Sequence, residues 1–555
     1  MAVAPTPVAA APDAPDRAQR ATFSARATAF FDWIKNTFVA GVNALASNVY
    51  ANAQDAASSA ANAVAQSASA TAQAGIATAQ AAAATSAAAT ATTQAGVATT
   101  QAASITTAAA TSTAKADVAT AKAAEATAAA ATATAIVLGV STGYPIIRPS
   151  LTLDFANSQI FDPRITFTRA SSGTRTNERG LIESLASGVP RIDFDPVTGE
   201  CRGLLIEEAR TNLLTYSEQF DNAAWAKFRS TITANVATAP DGTLTGDKLV
   251  EDTTTSNTHG LYSASYTATG VTLTASIYAK AAERSRVRLE IGNFLDGAAV
   301  ATADLSDGST SGVGSGTSDY TNVSATCTSV GKGWYRCTLT ATKGNTNSTS
   351  HVVVYLDNGT TVSYTGNGTS GVYLWGAQLE VGAFPTSYIP STSASVTRTA
   401  DSAVMTGTNF SAWYNQSEGT FVCGFDTVEA AATQGNVFEV GDGTWNERMN
   451  AFVSSTPTIN WVVTDGGVQV VNFSTGSYVV GNVAKVGTTY ALNSFAGSLN
   501  GGTPGTDTSG TLPTVNALYI GREGAGGASL NGHIRSLRYY PARLTNAQLQ
   551  TLTQE

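Results

Sequence analysis

The sequence predicts a mainly β chain carried on an N-terminal α-helical coiled-coil stalk, with two antiparallel, jelly-roll-like β-sandwiches at its C-terminal end. Three observations predict it: a tract from Ala51 to Ala135 of almost nothing but Ala, Thr, Ser and Gln, a long remainder of short runs alternating apolar and polar residues, and glycine-rich turns between those runs. At 555 residues the chain is too long for a single core. Only 13% of residues are charged and the net charge is -9, which argues against a basic nucleic-acid binder. No stretch supplies the roughly 18 uninterrupted apolar residues of a membrane span. The opening "MAVAPTPVAAAPDAPDRAQRA" lacks both the early Lys or Arg and the apolar core of a secretory signal, so use without that route of export is expected.

Residues 1–55 form the first element. Phe30, Phe31, Ile34, Phe38, Val42, Leu45 and Val49 recur every three or four residues, the stripe of an amphipathic helix that must bury itself against copies of itself or a partner. Residues 56–138 follow as the stalk. They hold no Pro, and Ala is the best helix former. The phrases "QAGIAT" (73–78), "QAGVAT" (94–99) and "ADVAT" (116–120) return every 21 residues, or three heptads, so Ile76, Val97 and Val118 share one seam. Such small side chains bury little, so several chains must share the seam, and about 80 residues would span on the order of 120 Å. The helix should stop in "IVLGVSTGYPIIRP" (136–149), where Gly139, Gly143 and Pro145 intervene.

Residues 139–200 read as an extended connector, 201–400 as a first sandwich and 401–555 as a second, with the boundary in "STSASVTRTADS" (391–402). In the first, Val287, Leu289 and Ile291 alternate with Arg286, Arg288 and Glu290, and Val271, Leu273 and Ile277 with Thr272, Thr274 and Ser276. In the second, strands are expected around "TFVCGFD" (420–426), "INWVV" (459–463) and "ALYIG" (517–521). Thr545 with Gln548 three residues on marks the start of a closing helix.

Three stretches carry a resemblance. "ATFSARATAFFDWIKNTFVAGVNALASNVYANAQDAA" with the stalk behind it resembles the virion-proximal part of bacteriophage tail fibres. The runs 162–227 and 371–401 resemble a carbohydrate-binding-like sandwich of phage fibres, and "GTLPTVNALYIGREGAGGASLNGHIRSLRYYPARLTNAQLQTLT" resembles the end of concanavalin-A-like or laminin-G-like lectin domains. The resemblance implies a homotrimeric fibre in the virion, made in the host cytoplasm. Its N-terminus would sit on tail or baseplate proteins and its C-terminal sandwiches on bacterial surface polysaccharide, lipopolysaccharide or an envelope protein. A polysaccharide-depolymerising tailspike and a capsid-attached head fibre are the alternatives.

Chemistry-bearing residues are sparse. His259, His351 and His533 have no partner at metal-ligand spacing, and no nucleophile elbow, phosphate loop or dinucleotide fingerprint occurs, so neither catalysis nor a cofactor is expected. Asp193, Asp195 and Glu200, and Glu207 with Glu208, are carboxylate candidates for hydrolysis or, for the first group, calcium, but a turn and a solvated edge explain them more simply. Cys327 and Cys337 read as reduced thiols rather than a hairpin bridge. Trp334, Tyr373 and Trp375 read as packing residues. For sugar binding, "GDGTWNERMN" (441–450) offers Asp442, Trp445, Asn446 and Arg448 in one loop, against the simpler reading that Trp445 covers a sheet edge.

Overall fold

The computed structural model describes residues 143–293, 297–317, 319–344, 349–428 and 434–554, residues 115–127, and isolated helical positions between 58 and 113. The chain divides into two compact units, Met1–Thr142 and Gly143–Glu555.

In the first unit, residues 115–127 are helical and exposed, Val118 among them. The hydroxyls of Thr106, Thr113, Thr120 and Thr127 donate to the carbonyls of Ala102, Ala109, Ala116 and Ala123 at 2.8–3.0 Å. The heptad spacing of these threonines thus places their self-satisfied hydroxyls along one line. Thr120 lies two positions past Val118, about 200° round the helix. The line therefore runs opposite the face that carries Val118. Ile76, Val97 and the anchoring stripe from Phe30 to Val49 lie outside the described residues.

The second unit is mainly β and holds two sandwiches, one inserted into the other. One sheet of the outer sandwich runs Gly505–Asp507, Phe495–Leu499, Ala484–Ala491, Glu418–Thr427, Gly532–Tyr540, Cys201–Ile206, Ile192–Phe194, all antiparallel, with Leu151–Asp154 also on Gly532–Tyr540. The facing sheet runs Thr166–Thr168, Ser402–Thr406, Ala517–Ile520, Gln434–Gly441, Arg448–Ser454, Thr458–Asp465, Val468–Ser477. Phe421 and Phe438 meet between them at 5.0 Å, and Trp461 and Tyr539 are fully buried in the same core.

The inserted sandwich has a six-stranded sheet, from Tyr320–Ser329 through Thr272–Ala281 and Gly371–Val381 to Ser230–Ala237, and a seven-stranded sheet centred on Arg286–Asn293 and Thr349–Asp357. Val287, Leu289 and Ile291 fill its core as their alternation predicts. Thr274 and Ser276 do not face solvent as expected. They are buried because the return segment lies over that face: Thr274 donates to the Gly382 carbonyl at 2.8 Å, and Tyr388 packs on Trp375 at 4.6 Å. Trp334 and Trp375 are buried packing residues there, with Tyr373 against them.

This topology corrects the expected division at 139–200, 201–400 and 401–555. The stretch read as a connector supplies strands to the C-terminal sandwich, whose sheet closes only when Leu151 faces Tyr539 and Leu205 faces His533. Local alternation specifies a strand but not a partner hundreds of residues away, so the insertion was hidden. Cys327 and Cys337, expected reduced, stand directly opposite on neighbouring strands and are joined in a disulfide.

The chain enters and leaves the insert side by side, with Arg210–Asn212 antiparallel to Val396–Arg398. Beneath this ribbon lies a buried charge cluster. Asp401 accepts from Arg169 at 3.2 Å and from Arg191, Arg191 also reaches Glu207 at 2.7 Å, and Arg398 lies 3.4 Å from Glu207. Burial alone would raise the Glu207 carboxyl, but Arg398 and Arg191 override it and hold it well below the usual range.

The closing helix, Asn546–Gln554, starts as the sequence predicts: the Gln548 N–H donates to Thr545 Oγ1 at 3.2 Å and the Thr545 N–H to Gln548 Oε1 at 3.0 Å. Thr545→Ala should cost about 1 kcal/mol of stability, read by urea unfolding; no measurable loss would mean the box contributes nothing.

Candidate functional site

The proposed sugar loop is the turn between Gln434–Gly441 and Arg448–Ser454. Its backbone is pinned from several sides. Asp442 accepts the Thr444 N–H at 2.8 Å, Glu447 accepts Gly466 and Thr514 N–H groups at 2.8 and 2.9 Å, and the Gly467 N–H donates to the Asn446 carbonyl at 3.1 Å. On this fixed turn Trp445 remains 52% exposed. The Arg448 guanidinium lies 4.4 Å from its ring centroid, a cation–π contact.

The structure thus brings Asp442, Trp445, Asn446 and Arg448 onto one hairpin, but with divided roles. Asp442 holds its own turn, and Arg448 is committed inward, to Glu523 at 2.6 Å and Glu439 at 3.5 Å. Trp445 and Asn446 are the exposed members. Burial raises the Glu439 carboxyl to about 7; the Gly524 N–H and Arg448 act against the rise and Glu523 adds to it. A Cβ on Gly526 would sit 2.7 Å from the Trp445 ring and 2.6 Å from Glu523. Glycine is therefore what lets the 523–527 loop pass under the indole. Sequence reasoning missed Glu439 and Glu523; the glycine run "GREGAGG" (521–527) was the available signal for a close backbone approach.

A second concave feature lies between the sandwiches. This cavity of about 250 Å3 is lined from the outer sandwich by Asp193, Arg202 and His533, and from the insert by Tyr278, Thr328 and Arg336. His533, one of three histidines without a sequence partner, is buried between two carboxylates: Nδ1 is 2.6 Å from Asp426 and Nε2 is 3.0 Å from Asp193. Burial alone would lower its pKa, but the two carboxylates raise it to about 9.

The acidic clusters are dispersed by these contacts. Asp193 holds the Thr176 N–H and His533, Asp195 caps its own turn and pairs with Arg202 at 2.7 Å, Glu207 sits in the buried cluster, and Glu208 binds Arg210 at 2.6 Å. Glu200 is exposed, 3.6 Å from Arg535. Among the described residues no group of three or more His, Cys, Asp or Glu is placed to hold a metal ion.

No protein-family model matches the chain, and no curated protein matches it. Among solved structures it is similar to the CBM40 module of the Ruminococcus gnavus IT-sialidase bound to α2,3-sialyllactose, at 15% identity and a TM-score of 0.24 over 26% of this chain and 87% of that one. It is similar to the NanB sialidase of Streptococcus pneumoniae at 13% identity and 0.23, over 26% and 25% of the two chains. A SAP-like pentraxin from Limulus polyphemus gives 18% identity and 0.20, over 24% and 69%.

Proposed function

We propose that this chain is a non-enzymatic fibre adhesin: a bacteriophage tail fibre, trimeric through its Ala-rich helices, that attaches to the virion by residues 1–55 and binds bacterial surface glycan through the outer sandwich. The observation that carries the binding is Trp445, a large aromatic held exposed on a turn whose backbone is fixed by its neighbours. Holding so apolar a face in water has a cost that a stacking ligand removes, and the C–H face of a pyranose fits it. Asn446 beside it can meet the sugar hydroxyls. Three copies on one fibre would turn weak single sites into firm attachment. The long tract of helix formers and the heptad line of threonines support the stalk, and the resemblance of the termini supports the placement in a phage tail.

The test is binding of the full-length chain to bacterial capsular and lipopolysaccharide glycans, with polysaccharide length followed in the same tubes. Trp445→Ala is expected to weaken single-site affinity about tenfold or more, or ~1.4 kcal/mol, with an unchanged melting temperature. Equal binding by the variant would sink the assignment of this loop. Shortening of the polysaccharide would overturn the non-enzymatic reading and turn attention to Glu439 and Glu523.

A further inference from the structure

The cavity between the sandwiches differs from the Trp445 platform in its unspent charge. Each carboxylate lining it is already engaged: Asp193 by His533 and the Thr176 N–H, Asp195 by Arg202, and Glu207 by Arg191 and Arg398. Arg175 is paired as well, with Glu183 at 2.9 Å. Arg336 is the exception. Its guanidinium lies 5.5 Å from the Tyr278 ring centroid and bonds only the Ser276 hydroxyl, from Nε at 3.3 Å and Nη2 at 3.0 Å, with no carboxylate at ion-pair distance among the described residues. Of five N–H donors, three remain. Thr176, Thr328 and Tyr278 line the same space, and their hydroxyls have no hydrogen-bond partner among the described residues.

From this geometry we infer a second binding site, for one anionic sugar unit, in the cleft between the sandwiches. Arg336 takes the anionic oxygens as a two-pronged donor, a geometry suited to planar carboxylate and to phosphate alike. The three free hydroxyls meet the sugar hydroxyls. The volume, about 250 Å3, lies below the ~300–1,000 Å3 of drug-sized sites, which limits the occupant to about one residue, the end of a chain or a side branch. The site is assembled from both sandwiches, so it exists only in the intact unit. The choice of a sugar as carrier of the charge rests on the glycan-binding reading; the need for an anion does not.

The experiment titrates the full-length chain by calorimetry with glucuronate and galacturonate oligosaccharides, glucose 6-phosphate, inorganic phosphate and neutral glucose oligomers. Anionic sugars should bind about tenfold or more tightly than neutral ones, and Arg336→Gln should remove that difference. Arg336→Lys should retain part of it, and Tyr278→Phe should weaken binding by a factor of about three. Trp445→Ala should leave all of these values unchanged, so failure of the platform and failure of the cleft are read separately. Preference for uronates assigns the site to a carboxylate, and preference for the phosphate ester to a phosphorylated sugar. Binding of inorganic phosphate as tight as the sugars removes the sugar from the proposal. Equal affinity for neutral and anionic sugars, or undiminished binding by Arg336→Gln, overturns it. Should Arg336→Gln not fold, the lysine variant decides: affinity equal to wild type for every anion overturns the site.

Discussion

Replacing Asp401 with alanine is expected to destabilise the Gly143–Glu555 unit by about 3–5 kcal/mol, the usual cost of breaking a buried ion pair from one side. Asp401 is completely buried, and its two oxygens serve Arg169, Arg191 and the Glu207 N–H, with Arg398 3.9 Å away. Its loss leaves three guanidiniums in a water-poor space, with Glu207 beside Arg191 and Arg398 as the cluster's remaining carboxylate. The effect should exceed that of any surface pair, such as Lys122–Glu125, where exposure reduces the attraction to a few tenths of a kcal/mol. Urea unfolding of wild type, Asp401→Ala and Asp401→Asn measures it. Both variants should loosen the junction where the chain leaves and re-enters the outer sandwich, because the cluster draws on Arg169 and Arg191 before the insert and on Arg398 and Asp401 after it. A loss below about 1 kcal/mol would mean that the arginines find water or other partners and that the cluster is not the clasp it resembles.

The second large effect is pH-dependent. With carboxylate oxygens at both ring nitrogens, only the imidazolium of His533 can donate to Asp426 and Asp193 at once. The folded pKa of about 9 lies above the ordinary 6.5, so the clamp contributes its full stability below pH 6.5 and loses it as pH rises through 9. Burial works against the Asp426 carboxylate, but His533, aided by Arg202 and Arg535, holds its pKa below the ordinary value. Its contribution is present above about pH 4 and is lost in acid. Wild type should therefore exceed His533→Gln by about 3 kcal/mol at pH 6, an advantage that fades by pH 9.5. Chemical denaturation at both pH values checks this, and a pH-independent difference would show that the ring is held neutral.

What could be read from the sequence follows from the range of each interaction. The period-two burial of Val287, Leu289 and Ile291 and the reciprocal cap of Thr545 and Gln548 are set within a few residues, and both are present. The grouping of Trp445, Asn446 and Arg448 was legible for the same reason, being one hairpin turn. Asp193 and His533 are separated by 340 positions, and Arg169 and Asp401 by 232. Nothing local in "DFDPVTGE" or "LNGHIRS" announces that these groups meet. Glu439 went unread for the same reason: it is the 523–527 loop, whose Gly524 N–H donates to it, that makes it a buried acid. The burial of Thr274 and Ser276 has the same origin: strand pattern tells which residues share a face, whereas a covering segment decides whether that face is wet.

Insertion of one sandwich within another also sets an order of events at the ribosome. The strand Cys201–Ile206 emerges long before Gly532–Tyr540, its partner in the sheet. At ~5–20 residues per second, the interval is on the order of tens of seconds. The insert, whose strands all lie between, can fold during the wait, while Leu151–Asp154 and the ribbon of Cys201–Ile206 with Ile192–Phe194 each keep unpaired the edge that Gly532–Tyr540 will later join. Where two nascent chains fold side by side, the late strand of one can close the sheet of its neighbour instead of its own. Exchange of this kind would join two copies into one mechanically continuous body that neither chain could leave without unfolding.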